Sequence, residues 1–399
     1  MPFVGTGKST SHDAHDAGRE AALQAIQSLS GQQPGLLLVF GTAGYNQQEL
    51  LDGIFEIAGQ VPLSGCSTSG VITQAGSDES SHAVAVLALS HAAHYQTFQA
   101  RGFGAHARIC AEELSRKIRE SAPRDARLLL LFPDGLTGNV TELVARIEAT
   151  LPRSVKIAGG TSGELLKLNR TWQYHDGRAE SDTVSAVLIS GSVSAEVKVS
   201  HSCEPIGLEQ TVTRAEGGWI YEIDGHPAWS VYKQYLDPQE KEPELLSMAH
   251  VCYICLAEIL PEPDPAYGKY IIRCPLQVDH STGALFFPGN IVKGTKVRMA
   301  LRSAERAVSQ ALSTGRTILA RHPGKKPALL LHFDCCCRAR LLFGACSADA
   351  VIQPLQQLFG QEVPWFGFNT YGEIAALDDG RTLFHNYSTV LCALYLDST

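Results

Sequence analysis

Short apolar runs followed by polar loops recur three times along the chain. Residues 36–40, 128–132 and 329–333 each consist almost entirely of Leu, Val and Phe, which predicts a buried strand. After each loop, apolar residues recur at spacings of three and four, which predicts an amphipathic helix. These helical positions are Leu50, Ile54 and Ile57, then Leu143, Ile147 and Leu151, then Ile352, Leu355 and Leu358.

Each predicted helix leads into a second strand and a glycine-rich turn. Residues 61–72 and 363–374 share the pattern Val-Pro-x-x-Gly-x-x-Thr-x-Gly-x-Ile, and residues 155–165 form a copy that is one residue shorter. A further strand-like run ends each unit, at 83–89, 184–189 and 390–396. Strands joined through a helix predict a right-handed crossover between parallel neighbours. The predicted class is therefore α/β, with repeated strand–helix–strand units forming mixed, largely parallel sheets in two halves. Residues 221–298 interrupt the pattern and are predicted to begin the second half.

Composition and charge narrow the classes of partner. The chain has 399 residues, a formal net charge of -8 and a pI near 6.0, which argue against nucleic acid or an anionic membrane as partner. The polar N-terminal segment does not resemble a signal peptide, and no apolar run is long enough for membrane insertion. The expected location is the cytoplasm, where the eleven cysteines stay reduced.

The glycine-rich turns follow predicted strands, where open α/β sheets bind their ligands. Hydroxyl and amide groups there supply neutral donors and acceptors, Glu164 and Glu373 suit an ammonium group, and Arg338 suits a carboxylate. This combination predicts a site for an amino-acid-like zwitterion, although the same residues also fit simple tight turns. The predicted ligand-binding residues are Cys66, Ser67, Thr68, Gly160, Thr161, Ser162, Glu164, Arg338, Asn369, Thr370, Tyr371 and Glu373.

Cysteines offer a second reading of the chemistry. Cys335, Cys336 and Cys337 are consecutive and precede Arg338, whose charge favours a reactive thiolate. Adjacent cysteines lack the two-residue spacing of zinc knuckles, and the Cys-x-x-Cys at 252–255 lies in a strand-like run. Buried or incidental thiols are therefore favoured over a metal site, and no metal is predicted.

Several motifs together resemble the FIST sensory proteins over nearly the whole chain. They are Gly-Cys-Ser-Thr-Ser-Gly at 65–70, Ile-Ala-Gly-Gly at 157–160, Gly-His-Pro-Ala at 225–228, Phe-x-Cys-x-x-Arg at 333–338, Gly-Phe-Asn-Thr-Tyr-Gly-Glu-Ile at 367–374 and His-Asn-Tyr-Ser at 385–388. The resemblance implies a FIST N-terminal domain at 28–215 and a FIST C-terminal domain at 216–397. It also implies a signal-input protein that binds a small ligand, by common conjecture an amino acid or related metabolite, and acts through a separate partner such as a histidine kinase.

Two alternatives accompany this reading. Some free-standing family members of the NosP type bind haem and sense nitric oxide, so haem b is the alternative cofactor, with no cofactor in the leading interpretation. The candidate axial ligands are His226, His250, His280 and His332. The second alternative is a cysteine-dependent enzyme that uses Cys66 or Cys335, although no catalytic motif is found and a non-enzymatic sensor is predicted.

Overall fold

The computed structural model describes residues 3–236, 254–346 and 348–397, with 25% helix and 42% strand. The chain is therefore α/β, as the sequence predicts. Within those ranges, no helix combines the length and the apolar content needed to cross a bilayer.

Three units of similar layout follow one another along the chain. The first contains β1 (Val4–Ser9), α1 (Ala14–Gln27), β2 (Pro34–Thr42), α2 (Gln47–Ala58), β3 (Leu63–Thr68), β4 (Val71–Thr73), β5 (Gly76–Asp78) and β6 (Val84–Ser90). The second contains β7 (His94–Arg101), α3 (Ala107–Ser121), β8 (Ala126–Pro133), α4 (Val140–Glu148), β9 (Lys156–Gly160), β10 (Gln173–His175), β11 (Arg178–Glu180) and β12 (Thr183–Ser190).

The third unit begins with β13 (Val193–His201) and is interrupted by residues 203–302, which we call the insert. The insert contains β14 (Cys203–Glu216), β15 (Trp219–Ile223), β16 (His226–Pro227), α5 (Ala228–Tyr232), β17 (Ile254–Asp264), β18 (Gly268–Arg273), β19 (Gln277–Asp279), β20 (Ala284–Phe286) and β21 (Lys296–Arg302). The unit then resumes with α6 (Ala304–Arg321), β22 (Leu329–Cys335), a 3₁₀ turn (Cys336–Arg338), α7 (Arg340–Phe343), a second 3₁₀ turn (Gly344–Cys346), a π-helical turn (Ala348–Ile352), α8 (Gln353–Phe359), β23 (Trp365–Thr370), β24 (Glu373–Ala376), β25 (Thr382–His385) and β26 (Ser388–Leu396).

The prediction of largely parallel sheets is wrong, because each main sheet has a single parallel pair. Those pairs are β2–β3, β8–β9 and β22–β23, each joined through helix as predicted. Every other pairing recorded in these sheets is antiparallel, since the closing strand of each unit returns beside the first strand of its parallel pair. Periodicity identifies strands, but it does not reveal which neighbours they choose.

The three six-stranded sheets have the same strand order and exchange their hairpins in a ring. The orders are β1-β6-β2-β3-β10-β11, β7-β12-β8-β9-β24-β25 and β13-β26-β22-β23-β4-β5. The last two strands of each sheet therefore come from another unit, so that every sheet is completed by a neighbour. The division of the chain at residue 215/216 stays a prediction, but these sheets do not follow it.

The inner faces of the three sheets share one aromatic centre. Phe40, Phe132 and Phe333 end the three predicted apolar runs, and all three rings contact one another or Phe368, with centroids 4.2 to 6.3 Å apart. The alternate residues of the runs pack with the helices instead, because side chains alternate along a strand; they are Leu37, Val39, Leu129, Leu131 and Leu330. This explains why the runs are apolar on both faces, with His332 as the exception.

A glycine lies in the second strand of each parallel pair, where it faces the first strand closely. A Cβ atom at Gly65, Gly159 or Gly367 would lie 1.8 to 2.1 Å from a carbonyl oxygen of the partner strand. Gly65 and Gly159 also have φ values of +145° and +149°, which side chains rarely adopt. The repeated glycine is thus required by backbone contact in all three units.

We expect Gly159→Ala to lower the free energy of unfolding by about 3 kcal/mol, because the new methyl group would meet the Leu131 carbonyl and the backbone conformation would be strained. Gly102→Ala is the matched control, since Gly102 also has a positive φ but nothing within 4 Å of a Cβ atom. It should lose about 1 kcal/mol. Urea denaturation measures both, and equal losses would show that the strand contact is not the reason.

Candidate functional site

The three glycine-rich turns meet, and their backbones bond to one another in a ring. The bonds run from Gly163 N to Ser67 O (2.9 Å), from Tyr371 N to Thr161 O (3.4 Å) and from Ser69 N to Asn369 O (3.3 Å). Each donor and each acceptor holds the same position in its own unit. The structure therefore brings all three predicted turns together, although they face each other and not an open sheet edge.

Hydroxyl groups of the turns are used inside the protein. Thr68 Oγ1 donates to Asn369 O at 2.9 Å, and Ser67 Oγ donates to Gly163 O at 2.9 Å. Ser162 Oγ accepts from Gln173 Nε2 at 2.7 Å. Their side chains are fully buried. These bonds hold the turns in place, so ligand binding by these residues stays a prediction.

Arg338 and Asp334 form a buried ion pair beside the ring. Arg338 Nε lies 3.0 Å from Asp334 Oδ1, and Arg338 Nη2 donates to Ala307 O at 3.1 Å. The guanidinium is fully buried, and its Nη1 has no hydrogen-bond partner among the described residues. Because its charge is already paired with that of Asp334, Arg338 would bind a ligand carboxylate more weakly than the sequence suggests.

Glu373 is fully buried and bonded to its neighbours. Its Oε2 accepts from Ser388 Oγ at 2.6 Å and from Ser388 N at 3.1 Å, while Oε1 is bonded to Thr370 Oγ1. Burial raises the pKa of Glu373 well above its ordinary value. Burial therefore favours the protonated acid over the anion that an ammonium group would need.

Glu164 shapes a loop that closes over Tyr371. Its carboxylate accepts from Lys167 N at 3.1 Å and also from Leu168 N. Tyr371 Oη donates to Glu164 O and accepts from Leu166 N at 2.9 Å. The loop of residues 164–168 is thus fastened to the third turn by one tyrosine hydroxyl.

A cavity lies between this loop, the insert and the cysteine run. Its volume is about 20 Å³, which is room for about one water molecule, and its walls are largely apolar. We call it the thiol-lined cavity. Its lining residues are Leu166, Leu168, Cys274, Leu276, Cys335, Cys336, Cys337 and Tyr371.

Six of the ten described cysteines belong to one buried cluster around this cavity. The members are Cys203, Cys255, Cys274, Cys335, Cys336 and Cys337. Cys255 lies in β17, as its strand-like surroundings predict, with its sulfur 3.4 Å from that of Cys203, whereas Cys252 falls outside the described residues. The cysteine run itself ends β22 and forms the following turn.

Backbone strain is concentrated at the same cluster. Leu166, Leu168 and Tyr387 have φ values of +58°, +52° and +53°, a conformation that costs bulky residues about 1–3 kcal/mol each. The other described non-glycine residues with positive φ are Ser or Asp, which tolerate it in turns. All three strained bulky residues pack in the cysteine cluster or against it, which marks this cavity as the candidate site.

Comparison with protein-family models identifies the family of this chain. The FIST N domain model matches residues 35–226, and the FIST C domain model matches residues 228–376. The chain belongs to the FIST family. FIST domains are known as small-ligand sensory domains, so the buried cavity of this FIST protein is interpreted below as a ligand site.

Relatives of this FIST protein occur in bacteria and archaea. Uncharacterised proteins of Mycobacterium bovis and Mycobacterium tuberculosis are each 29% identical over 99% of this chain and 99–100% of their own length. One from Methanocaldococcus jannaschii is 26% identical over 52% of this chain and 42% of its own. A solved cyanuric acid hydrolase from A. caulinodans covers both chains fully at a TM-score of 0.35 and 8% identity, a likeness too weak to inform on activity.

The candidate haem ligands of this FIST protein do not gather at one site. His332 is fully buried, with Nε2 bonded to Thr389 Oγ1 at 2.7 Å and Nδ1 accepting from Trp365 Nε1 at 3.3 Å. Burial lowers its pKa to about 4. His226 and His280 are exposed on the insert, and His250 lies outside the described residues. Haem binding stays a prediction, which an absorption spectrum after expression with haem precursor tests.

The cysteines proposed as nucleophiles are both buried. Burial raises the pKa of the Cys66 thiol and that of Cys335, whereas a nucleophilic cysteine reacts as its thiolate. The cysteine-enzyme alternative stays a prediction, and labelling with iodoacetamide at neutral pH tests it.

Sequence reasoning missed Leu166, Leu168, Cys274 and Leu276 as cavity residues, because only folding brings the insert and the loop beside the cysteine run.

We expect Glu373→Gln to gain stability relative to wild type as pH rises. The raised pKa of Glu373 means that its contribution is complete below the unfolded pKa and is lost as pH increases toward the folded pKa. The amide keeps the shape but does not titrate. Urea denaturation between about pH 5 and pH 8 measures the difference.

Glu362→Gln is the matched control, because Glu362 is exposed and Lys326 lowers its pKa. Its stability relative to wild type should not rise with pH. A Glu373→Gln variant that becomes relatively less stable with increasing pH would contradict the raised pKa of Glu373.

Proposed function

We propose that this FIST protein senses a small ligand in the thiol-lined cavity. The observation that carries the proposal is the location of the strained bulky residues: Leu166 and Leu168 line this cavity, and Tyr387 packs in the cysteine cluster around it. Strained backbone persists only where surrounding contacts impose it, and it is typical of ligand sites and switch regions. A ligand that replaces or reinforces those contacts has a direct effect on the loop.

The chemistry of the walls restricts the ligand. The cavity is apolar and carries thiols, while the nearby charges of Arg338 and Asp334 neutralise each other. An unpaired charge would be costly to bury there. Within the predicted class of amino acids and related metabolites, we therefore propose a small compound whose apolar part enters the cavity as the loop of residues 164–168 moves outward, and whose polar atoms stay at its mouth.

The position of the cavity supports a way to transmit binding. Cys274 and Leu276 belong to the insert, whereas the other walls belong to the three-sheet body. The exchanged hairpins oppose separation of the two predicted halves, because separation would break the pairings β4–β23 and β9–β24. We therefore propose that the insert moves relative to the three-sheet body when a ligand binds. A separate protein such as a histidine kinase would respond to this movement.

One hydrogen bond between the insert and the body is a contact that this movement would change. Arg302 Nη1 donates to Cys337 O at 2.8 Å, which links the end of the insert to the cysteine run. A ligand beside Cys337 that favours one placement of this carbonyl also favours one placement of β21. Binding is thereby coupled to the orientation of the insert.

We expect Tyr371→Phe to abolish ligand-induced stabilisation. The change removes the hydroxyl that bonds Glu164 and Leu166, so the strained loop relaxes and the cavity loses a wall. The measurement is thermal unfolding with a panel of amino acids, their amides and the corresponding 2-oxo acids. A compound present at about 100 times its Kd should stabilise wild type by roughly 2.7 kcal/mol.

Tyr95→Phe is the matched control, since Tyr95 Oη also donates to a backbone carbonyl, that of Ser90 at 2.8 Å, and does not line the cavity. This variant should respond to the same compounds as wild type. The absence of a shift for wild type across the panel, or an equal shift in Tyr371→Phe, would refute the proposed site.

A further inference from the structure

The three consecutive cysteines present their sulfur atoms to a common point. The Sγ atoms of Cys335, Cys336 and Cys337 all lie within 4.8 Å of one another, and those of Cys336 and Cys337 are 4.0 Å apart. An ion with three coplanar metal–sulfur bonds of about 2.3 Å would hold its sulfurs about 4.0 Å apart. The arrangement is therefore close to the spacing of a three-coordinate thiolate site before any movement.

Local backbone geometry explains how neighbouring residues achieve this convergence. Cys335 is extended, with φ -61° and ψ 132°, and ends strand β22, whereas Cys336 and Cys337 begin a 3₁₀ turn. In a continuous strand, side chains of neighbouring residues point to opposite faces. The change from strand to turn at Cys335 removes that alternation and directs the three sulfurs to one side.

The surroundings favour a soft ion over a hard one. In the described ranges, the group of mutually close ligand atoms consists of three sulfurs, without carboxylate or imidazole. Soft thiolates select ions such as Cu(I), whereas structural zinc sites use four ligands. We propose that Cys335, Cys336 and Cys337 bind one Cu(I) ion in three-coordinate geometry at the wall of the thiol-lined cavity.

The Arg302 guanidinium would offset part of the charge of such a complex. Three thiols release their protons, three copper–sulfur bonds form and no electron is transferred, so the complex carries two negative charges. Arg302 Nη1 donates to Cys337 O at 2.8 Å, whereas the charge of Arg338 is already paired with that of Asp334. The adjoining cavity provides the path by which the ion enters.

This inference deepens the proposed function. The copper site is argued from its own geometry, whereas the effect of copper binding on signalling rests on the proposed function. The test is an anaerobic titration of the full-length protein with Cu(I) in competition with the chelator bicinchoninate. We expect one ion per chain, an ultraviolet sulfur-to-copper charge-transfer band, and an X-ray absorption shell of three sulfur neighbours. The spectroscopic measurement needs no variant, so it holds even if a substitution impairs folding.

Variants then assign the ligands. Cys335→Ser, Cys336→Ser and Cys337→Ser should each weaken Cu(I) binding more than about 100-fold, since losing a bound sulfur exceeds the effect of losing a supporting contact. Cys336→Ala replaces Cys336→Ser if a buried hydroxyl destabilises the fold. Cys346→Ser is the matched control, because Cys346 is an exposed cysteine outside the cluster, and it should bind as wild type does.

The outcomes separate this inference from the proposed function. Absence of Cu(I) binding by the wild-type protein, preference for zinc with four sulfurs, or full retention of binding in the single variants of Cys335, Cys336 and Cys337 would overturn the copper site. Metabolite-induced stabilisation without copper binding would refute the copper site and leave the proposed function supported. Copper bound by three sulfurs without any metabolite response would support the ion and refute the metabolite proposal.

Discussion

The exchange of hairpins among three sheets is the constraint on which the rest of the structure depends. Each unit supplies the edge hairpin of another sheet, and the three turns that precede these hairpins bond backbone to backbone in a ring. A sheet cannot be completed by its own unit, so the three units must fold against one another. The aromatic centre around Phe40, Phe132 and Phe333 then becomes a single core.

The candidate site occurs where the third unit departs from the other two. The insert enters after β13, and the loop after β22 holds the cysteine run and a buried ion pair. The backbones of the repeated positions bond to one another in the ring, which leaves little freedom for a ligand among them. The insert and the loop after β22 take no part in the ring, and strained residues and a cavity occur between them.

Burial gives this region its chemical character. Burial raises the pKa of Glu373 and of the Cys335 thiol, so that it favours their protonated forms, and Arg338 is paired with Asp334. A polar site for a zwitterion would need these charges to be available. An apolar cavity with sulfur atoms at its wall instead favours an apolar group or a soft ion, because neither loses strong hydration on entry.

The sequence by itself determined the α/β class, the repeated strand–helix–strand segments and the turns that come together, because strand and helix periods and a glycine required by close backbone contact are local properties. It also singled out the cysteine run. Only the tertiary structure decided that one strand pair per sheet is parallel, that hairpins are exchanged, and that the Arg338 and Glu373 side chains are already engaged. Cys274 and Leu276 reach the cavity from the insert, distant in sequence from the residues they face. Such contacts arise from long-range packing, which no local pattern of residues encodes.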